Sequence, residues 1–132
     1  MKLNVKKLEV HKDDRGWLAE ILRPEDVGGS PFGQILVTTA HPGQIKGNHY
    51  HRRKREWYCV VAGRGKLTVT DRKTRETVEL EMGERNMVSV EIPVGSLHAI
   101  MNIGSDEMYL LAYTDEPFNP SDPDTYYEVP RT

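Results

Sequence analysis

The chain has a single cysteine in 132 residues, so no internal disulfide framework holds it together. That residue, Cys59, lies in an apolar strand-like run and reads as a buried, unreactive thiol. Neither sign of charge is in surplus. Eighteen Lys and Arg stand against 20 Asp and Glu, a formal net charge of −2, and no global basic field argues for nucleic acid or an anionic membrane as partner. No apolar run approaches membrane-spanning length. The opening MKLNVKKLEV lacks the continuous apolar core of a signal peptide, so a cytoplasmic location is the expectation. Helical periodicity is scarce as well.

What the chain does have is a series of short β-rich runs: LNVKKLEV, WLAEIL, GQILVTTA, EWYCVVAG, KLTVTD, ETVELEM, NMVSVEIP, LHAIMNI and EMYLLAYT. Turn-forming stretches such as PEDVGGSPFG, AGRGK, DRKTRE and NIGSDE separate them. Many short strands at this spacing point to an all-β barrel or sandwich. The length suits one domain with one sizeable core. No repeat or low-complexity segment divides it, so residues 1–132 are expected to form a single domain. Residues 1–12 would be its leading strand, and 116–132 a Pro- and Asp-rich tail that wraps the outside, with Tyr126 and Tyr127 against the sheet. So many prolines exclude a central strand.

The chemistry concentrates in residues 43–63, GQIKGNHYHRRKREWYCVVAG. On a strand, residues two apart face the same way, so His49 and His51 would project together. If the next strand folds back, Glu56 returns its carboxylate to the same pocket, and His98 of PVGSLHAIMN is the candidate fourth member. Imidazole and carboxylate donors are what a first-row divalent metal takes. The spacing of Gly43, His49, His51, Glu56 and Gly63 resembles the first cupin motif at every fixed position. That of Pro93, Gly95, His98 and Asn102 resembles the second. One departure is visible: where the pattern expects glycine, the chain has Met87, and Gly83 stands four residues earlier, suggesting a longer hairpin loop. The resemblance implies an all-β cupin barrel (a jelly-roll, or double-stranded β-helix) binding a divalent metal, with zinc expected, through His49, His51, Glu56 and His98.

Asp14-Arg15-Gly16-Trp17, with Glu20 following, resembles the start of the nucleotide-sugar epimerase cupins, which implies that Arg15 contacts the nucleotide diphosphate. KGNHYH, KREWYCVVAG and the ending NPSDPDTYY are similar to the C-terminal cupin domain of bifunctional capsular polysaccharide enzymes. In those, a cupin epimerises a UDP-linked 4-keto-6-deoxy sugar at C3 and a fused reductase completes the reaction. The resemblance runs from Asp13 to Val129 and lacks the reductase, implying a separate NADPH-dependent partner. It also implies a UDP- or dTDP-linked substrate and a homodimer. Arg52 and Arg53 of the RRKR run are candidate diphosphate ligands, since guanidinium forks match phosphate oxygens; a solvated hairpin turn is the plainer reading. Lys46, Asn48 and Asn102 complete the expected substrate-binding set.

A 4-keto sugar has an acidified C3–H, and its removal leaves an enolate on the ketone oxygen. With both histidines on a metal, base and acid fall to Tyr58, Tyr113 or a metal-bound water. In the related metal-free ketoisomerases the histidines themselves move protons, which keeps His51 a candidate. Two alternatives stand beside the epimerase: a metal-dependent cupin oxygenase using the same four residues, and a non-catalytic sugar-binding cupin.

Overall fold

The computed structural model describes residues 1–29 and 31–128. Ser30 and residues 129–132, which fall in the predicted loop and tail, lie outside the described residues. Among the described residues twelve strands form: β1 (Asn4–Lys7), β2 (His11–Asp13), β3 (Gly16–Leu18), β4 (Gln34–Ala40), β5 (Ile45–Tyr50), β6 (Glu56–Ala62), β7 (Arg64–Thr70), β8 (Thr77–Gly83), β9 (Val88–Ile92), β10 (Leu97–Asn102), β11 (Met108–Thr114) and β12 (Tyr126–Tyr127). They make two antiparallel five-stranded sheets, ordered β1-β9-β6-β11-β4 and β12-β5-β10-β7-β8, and a separate β2–β3 hairpin. The sheets face each other across one core. Tyr58, Val60, Val90 and Leu110 enter it from the first sheet; Leu67, Val69, Met82 and Ile100 enter from the second.

Period-2 patterning explains which side chains go in. In β7, Gly65, Leu67 and Val69 are buried while Arg64, Lys66, Thr68 and Thr70 are half-buried, the signature of a strand with one wet face. Strand β6 departs from this, with Glu56 through Val60 all buried. Its outer face is covered by the chain between β3 and β4, where Leu22 and Val27 pack on Trp57 and Tyr113.

Three expectations need correction. Residues 1–12 do not form one leading strand: β1 pairs with β9, whereas β2 belongs to the hairpin. WLAEIL stays extended as a strand only to Leu18. Ala19, Ile21 and Leu22 instead line the outer cover while Trp17 and Leu18 stay exposed, and Pro24–Val27 of the expected turn forms a 3-10 helix. Proline at the first helical position favours that start. The tail does more than wrap, since β12 adds to the edge of the second sheet beside β5.

The displaced glycine is accounted for. Gly83 has φ +125°, and a Cβ there would lie 2.3 Å from the Gly63 carbonyl oxygen; the longer turn follows it, closed by Asn86 N–H to Gly83 O at 2.9 Å. Gly83→Ala therefore combines backbone strain with a backbone clash. We expect it to cost more than about 2 kcal/mol of stability, measured by urea unfolding.

Candidate metal centre

A β-bulge builds the site. His98 of β10 pairs with His49 of β5, but the next residue, Ala99, pairs with Gly47, leaving Asn48 as the extra residue. Asn48 takes φ +60°, in the left-handed region that Asn tolerates better than most residues. An extra residue shifts the alternation by one. Lys46, opposite Ile100, and His49, opposite His98, therefore share a face although three residues apart. His51 follows two residues later on that face, and Glu56 opens β6 on the facing sheet.

One ligand atom from each of His49, His51, Glu56 and His98 lies within 4.8 Å of the others. His51 is 5% exposed, Glu56 7% and His98 1%. The imidazoles are oriented from behind. His51 Nδ1 is 2.7 Å from the Asp124 carbonyl oxygen, and His98 Nδ1 is 3.1 Å from that of Ser96. With Nδ1–H donating to these carbonyls, each Nε2 turns to the centre. His51 Nε2 meets Glu56 Oε1 at 3.1 Å in a hydrogen bond. His98 Nε2 lies 3.1 Å from the same oxygen but without hydrogen-bond alignment, so it and His49 Nε2 are buried nitrogens lacking a partner. Such orphans are rare in native interiors, and three imidazoles around one carboxylate fit a divalent cation.

The electrostatics are those of a compact mixed-charge cluster. Burial, helped by the positive character of His98, drives the His49 pKa down to about 4. For His51, burial opposes charging, but the hydrogen bond to Glu56 and its charge outweigh it and raise the pKa. Burial alone would raise Glu56; the two histidines bonded or adjacent to it bring it down to about 2. Tyr58 is pushed well above the usual phenol range, first by burial and then by the Glu56 charge. It is held protonated beside His98, ring centroids 5.7 Å apart. That suits a proton donor and not a base.

Tyr113 is not in the centre, which corrects the expectation that it supplies an acid or base. The register sets it opposite Trp57, one residue out of phase with Glu56 and Tyr58. It packs on the outer face of the sheet, and its hydroxyl accepts the Gly33 N–H at 3.2 Å.

The substrate-binding candidates scatter. Lys46 is exposed on the centre's face of β5. Arg15 sits 86% exposed in the β2–β3 turn, paired with Asp13. Arg53 is bound by Glu116 and Asp122, and the Arg52 guanidinium lies 4.3 Å over the Tyr126 ring. Buried Asn102 donates to the Ala40 and Asp106 carbonyls and accepts from Gly104 N–H, clamping the β10–β11 turn. Asn48 is the bulge itself.

Two residues were not singled out by the sequence reading, which took Lys54 only as part of the RRKR run. Lys54 is 7% exposed, and its side chain makes no ion pair among the described residues. Its charge nevertheless opposes protonation of both His49 and His51. Counting back by two from Glu56 singles it out from the RRKR run. Asp124 stands in the Pro- and Asp-rich PSDPDTYY, where no local signal marks it.

The two facing sheets, the paired motifs and the His3Glu cluster make this a cupin. Residues 11–126 match the model of the polysaccharide biosynthesis C-terminal domain, and the chain belongs to that family. The Bacillus subtilis spore coat polysaccharide biosynthesis protein SpsL is 33% identical over 127 residues, covering 92% of this chain and 84% of its own length. A Pseudomonas aeruginosa UDP-2-acetamido-2,6-beta-L-arabino-hexul-4-ose reductase is 33% identical over 117 residues, 89% of this chain but only 30% of that protein. Among solved structures, the capsular polysaccharide assembling protein CapF of Staphylococcus aureus superposes with TM-score 0.72 at 35% identity, over 92% of this chain and 34% of CapF. The chain thus spans about a third of the latter two proteins. No helix among the described residues is long and apolar enough to cross a membrane.

The outward placement of Tyr113 has a direct test. Tyr113→Phe should leave metal binding unchanged, measured by titration with a chelator in competition. It should cost about 1 kcal/mol of stability for the lost hydrogen bond. A drop in metal affinity would place Tyr113 at the centre after all.

Proposed function

We propose that this cupin is a metal-containing epimerase or isomerase that removes the C3 proton of a nucleotide-linked 4-keto-6-deoxy sugar in polysaccharide biosynthesis. One observation carries the reading. Four donor atoms of the right chemistry converge within 4.8 Å, two of them buried imidazole nitrogens with no hydrogen-bond partner. His49, His51, Glu56 and His98 hold the ion, for which zinc suits the nitrogen and oxygen donor set. When bound, it supplies Lewis-acid polarisation of the ketone oxygen.

The chain's own residues do the rest. Lys54 places a positive charge beside the histidines, where it favours an anionic group on the substrate, and Lys46 adds a second cation on the same face. Tyr58, held protonated, is the candidate proton donor; positioned proton transfer contributes about 10²- to 10⁴-fold. Arg15, on its exposed hairpin, remains the proposed diphosphate contact. UDP is the favoured nucleotide, because the Pseudomonas relative acts on a UDP-sugar. That protein is a reductase of which this chain spans 30%, and an NADPH-dependent reduction is the step we propose to follow. We place the protein in the cytoplasm as a homodimer. The exposed Ile35, Leu36 and Val37 on β4, at an unpaired sheet edge, support self-association.

A second reading is favoured by the 3.1 Å hydrogen bond between His51 and Glu56. With Nδ1 held by the Asp124 carbonyl, Nε2 and Glu56 form an acid–base couple that would exchange a proton with the substrate without a metal. The oxygenase would use the same four residues; the polysaccharide-biosynthesis relatives favour the epimerase over it and over the non-catalytic sugar binder.

The experiment is solvent exchange. Incubating metal-loaded protein with a UDP-linked 4-keto-6-deoxy sugar in D₂O should place deuterium at C3 without NADPH. In Glu56→Gln, exchange should fall together with metal content; if metal stays and exchange collapses, the His51–Glu56 reading takes over. No exchange with any UDP- or dTDP-linked 4-keto sugar would overturn the enzyme reading. Lys54→Met and Arg15→Ala should each weaken nucleotide-sugar binding by about 1–3 kcal/mol, the worth of a charge-assisted hydrogen bond, with metal content unchanged.

A further inference from the structure

Asp124 comes from the tail, yet it is only 2% exposed. Its carboxylate accepts the backbone N–H groups of Arg52 at 3.0 Å, Arg53 at 2.9 Å and Lys54 at 2.8 Å. These are the three residues that follow His51. Its carbonyl oxygen, 2.7 Å from His51 Nδ1, holds the ring itself. One tail residue thus grips both the imidazole and the loop leading away from it. Its backbone takes φ +48°, a left-handed conformation that a non-glycine residue keeps only when its surroundings impose it.

Attachment of the tail does not explain this arrangement, because the tail is secured two residues further on. There Tyr126 pairs with Tyr50 and stacks on it at 5.3 Å. Arg52 caps the Tyr126 side at 4.3 Å and Arg72 the Tyr50 side at 3.7 Å. With that stack in place, the inward turn of Asp124 serves His51.

We infer that Asp124 is a positioning residue of the metal centre, fixing through its carbonyl which nitrogen His51 presents and through its carboxylate where His51 stands. The inference rests on the metal reading above. Partners behind a metal-bound histidine typically change affinity 10- to 100-fold when lost. The coupling must also run the other way: an ion bound at His51 should tighten the contacts of Asp124.

The test is Co(II) affinity of Asp124→Ala and Asp124→Asn by chelator competition, with the apoprotein melting temperature measured alongside. Asp124→Ala keeps the carbonyl but loses the acceptors that hold it in place. Its affinity should fall about 10- to 100-fold, and that of Asp124→Asn, which retains one oxygen acceptor, should fall less. The visible spectrum of the bound Co(II) should change in Asp124→Ala. In the wild-type protein, Co(II) should slow amide hydrogen exchange at Arg52, Arg53 and Lys54, a readout that needs no variant to fold. A folded Asp124→Ala with lowered melting temperature but affinity within about twofold of wild type, against the expected range, reduces Asp124 to a structural role and overturns the inference. So do wild-type amides that ignore a bound ion. A wild-type protein that binds no Co(II) removes the metal reading and this inference with it.

Discussion

A single carboxylate oxygen, Glu56 Oε1, sits 3.1 Å from two imidazole nitrogens in the interior of the sandwich. Burying an unpaired charge is costly, so every element around Glu56 is placed to compensate it. Strand β10 brings His98, the bulge in β5 turns His49 inward, and the turn after β5 delivers His51. The protein has built a polar centre inside an apolar core, and the low Glu56 pKa and the high Tyr58 pKa are consequences of that one choice. Lys54, in the same turn, adds a buried cation that makes no ion pair among the described residues and sits 6.0 Å from the Phe118 ring centroid.

Much of this was legible in the sequence. The strands announce themselves through β-branched residues and alternation, and the His49, His51, Glu56 and His98 cluster through its match to the two cupin motifs, although β5 and β6 lie in facing sheets and do not pair. Tyr113 was misplaced because its face is set by strand register. Once Glu56 and Tyr58 face inward on β6, the partner strand's parity decides which side chains of β11 join them, but that parity depends on a register the sequence does not print. The bulge at Asn48 is similar. Strict alternation puts Lys46 and His49 on opposite faces, and the extra residue at Asn48 reconciles them.

The second sheet face and the tail were harder to read, for different reasons. WLAEIL looks like a strand partly because Ala19, Ile21 and Leu22 have a sheet to pack against. They cover the outer face of β6 and β11 instead of extending it, while Trp17 and Leu18 stay exposed, and a propensity pattern cannot tell covering from pairing. Asp124 is silent because its role depends on contacts with residues some 70 positions away. Arg52 and Arg53 show the reverse: conspicuous as a basic run, they are engaged by the tail, through Tyr126 for one and Glu116 and Asp122 for the other. The quieter Lys54 is the member of that run whose charge reaches the histidines.

The account stands or falls on whether His49, His51, Glu56 and His98 act as one ligand set. X-ray absorption at the metal edge, on protein purified from metal-replete medium, tests this most directly. We predict about one divalent ion per chain, with imidazole scattering from the three histidines and a nitrogen or oxygen first shell at about 2.0–2.2 Å. A sulfur-containing shell, or protein that retains no transition metal, would contradict the account and leave the four residues as a hydrogen-bonded acid–base cluster.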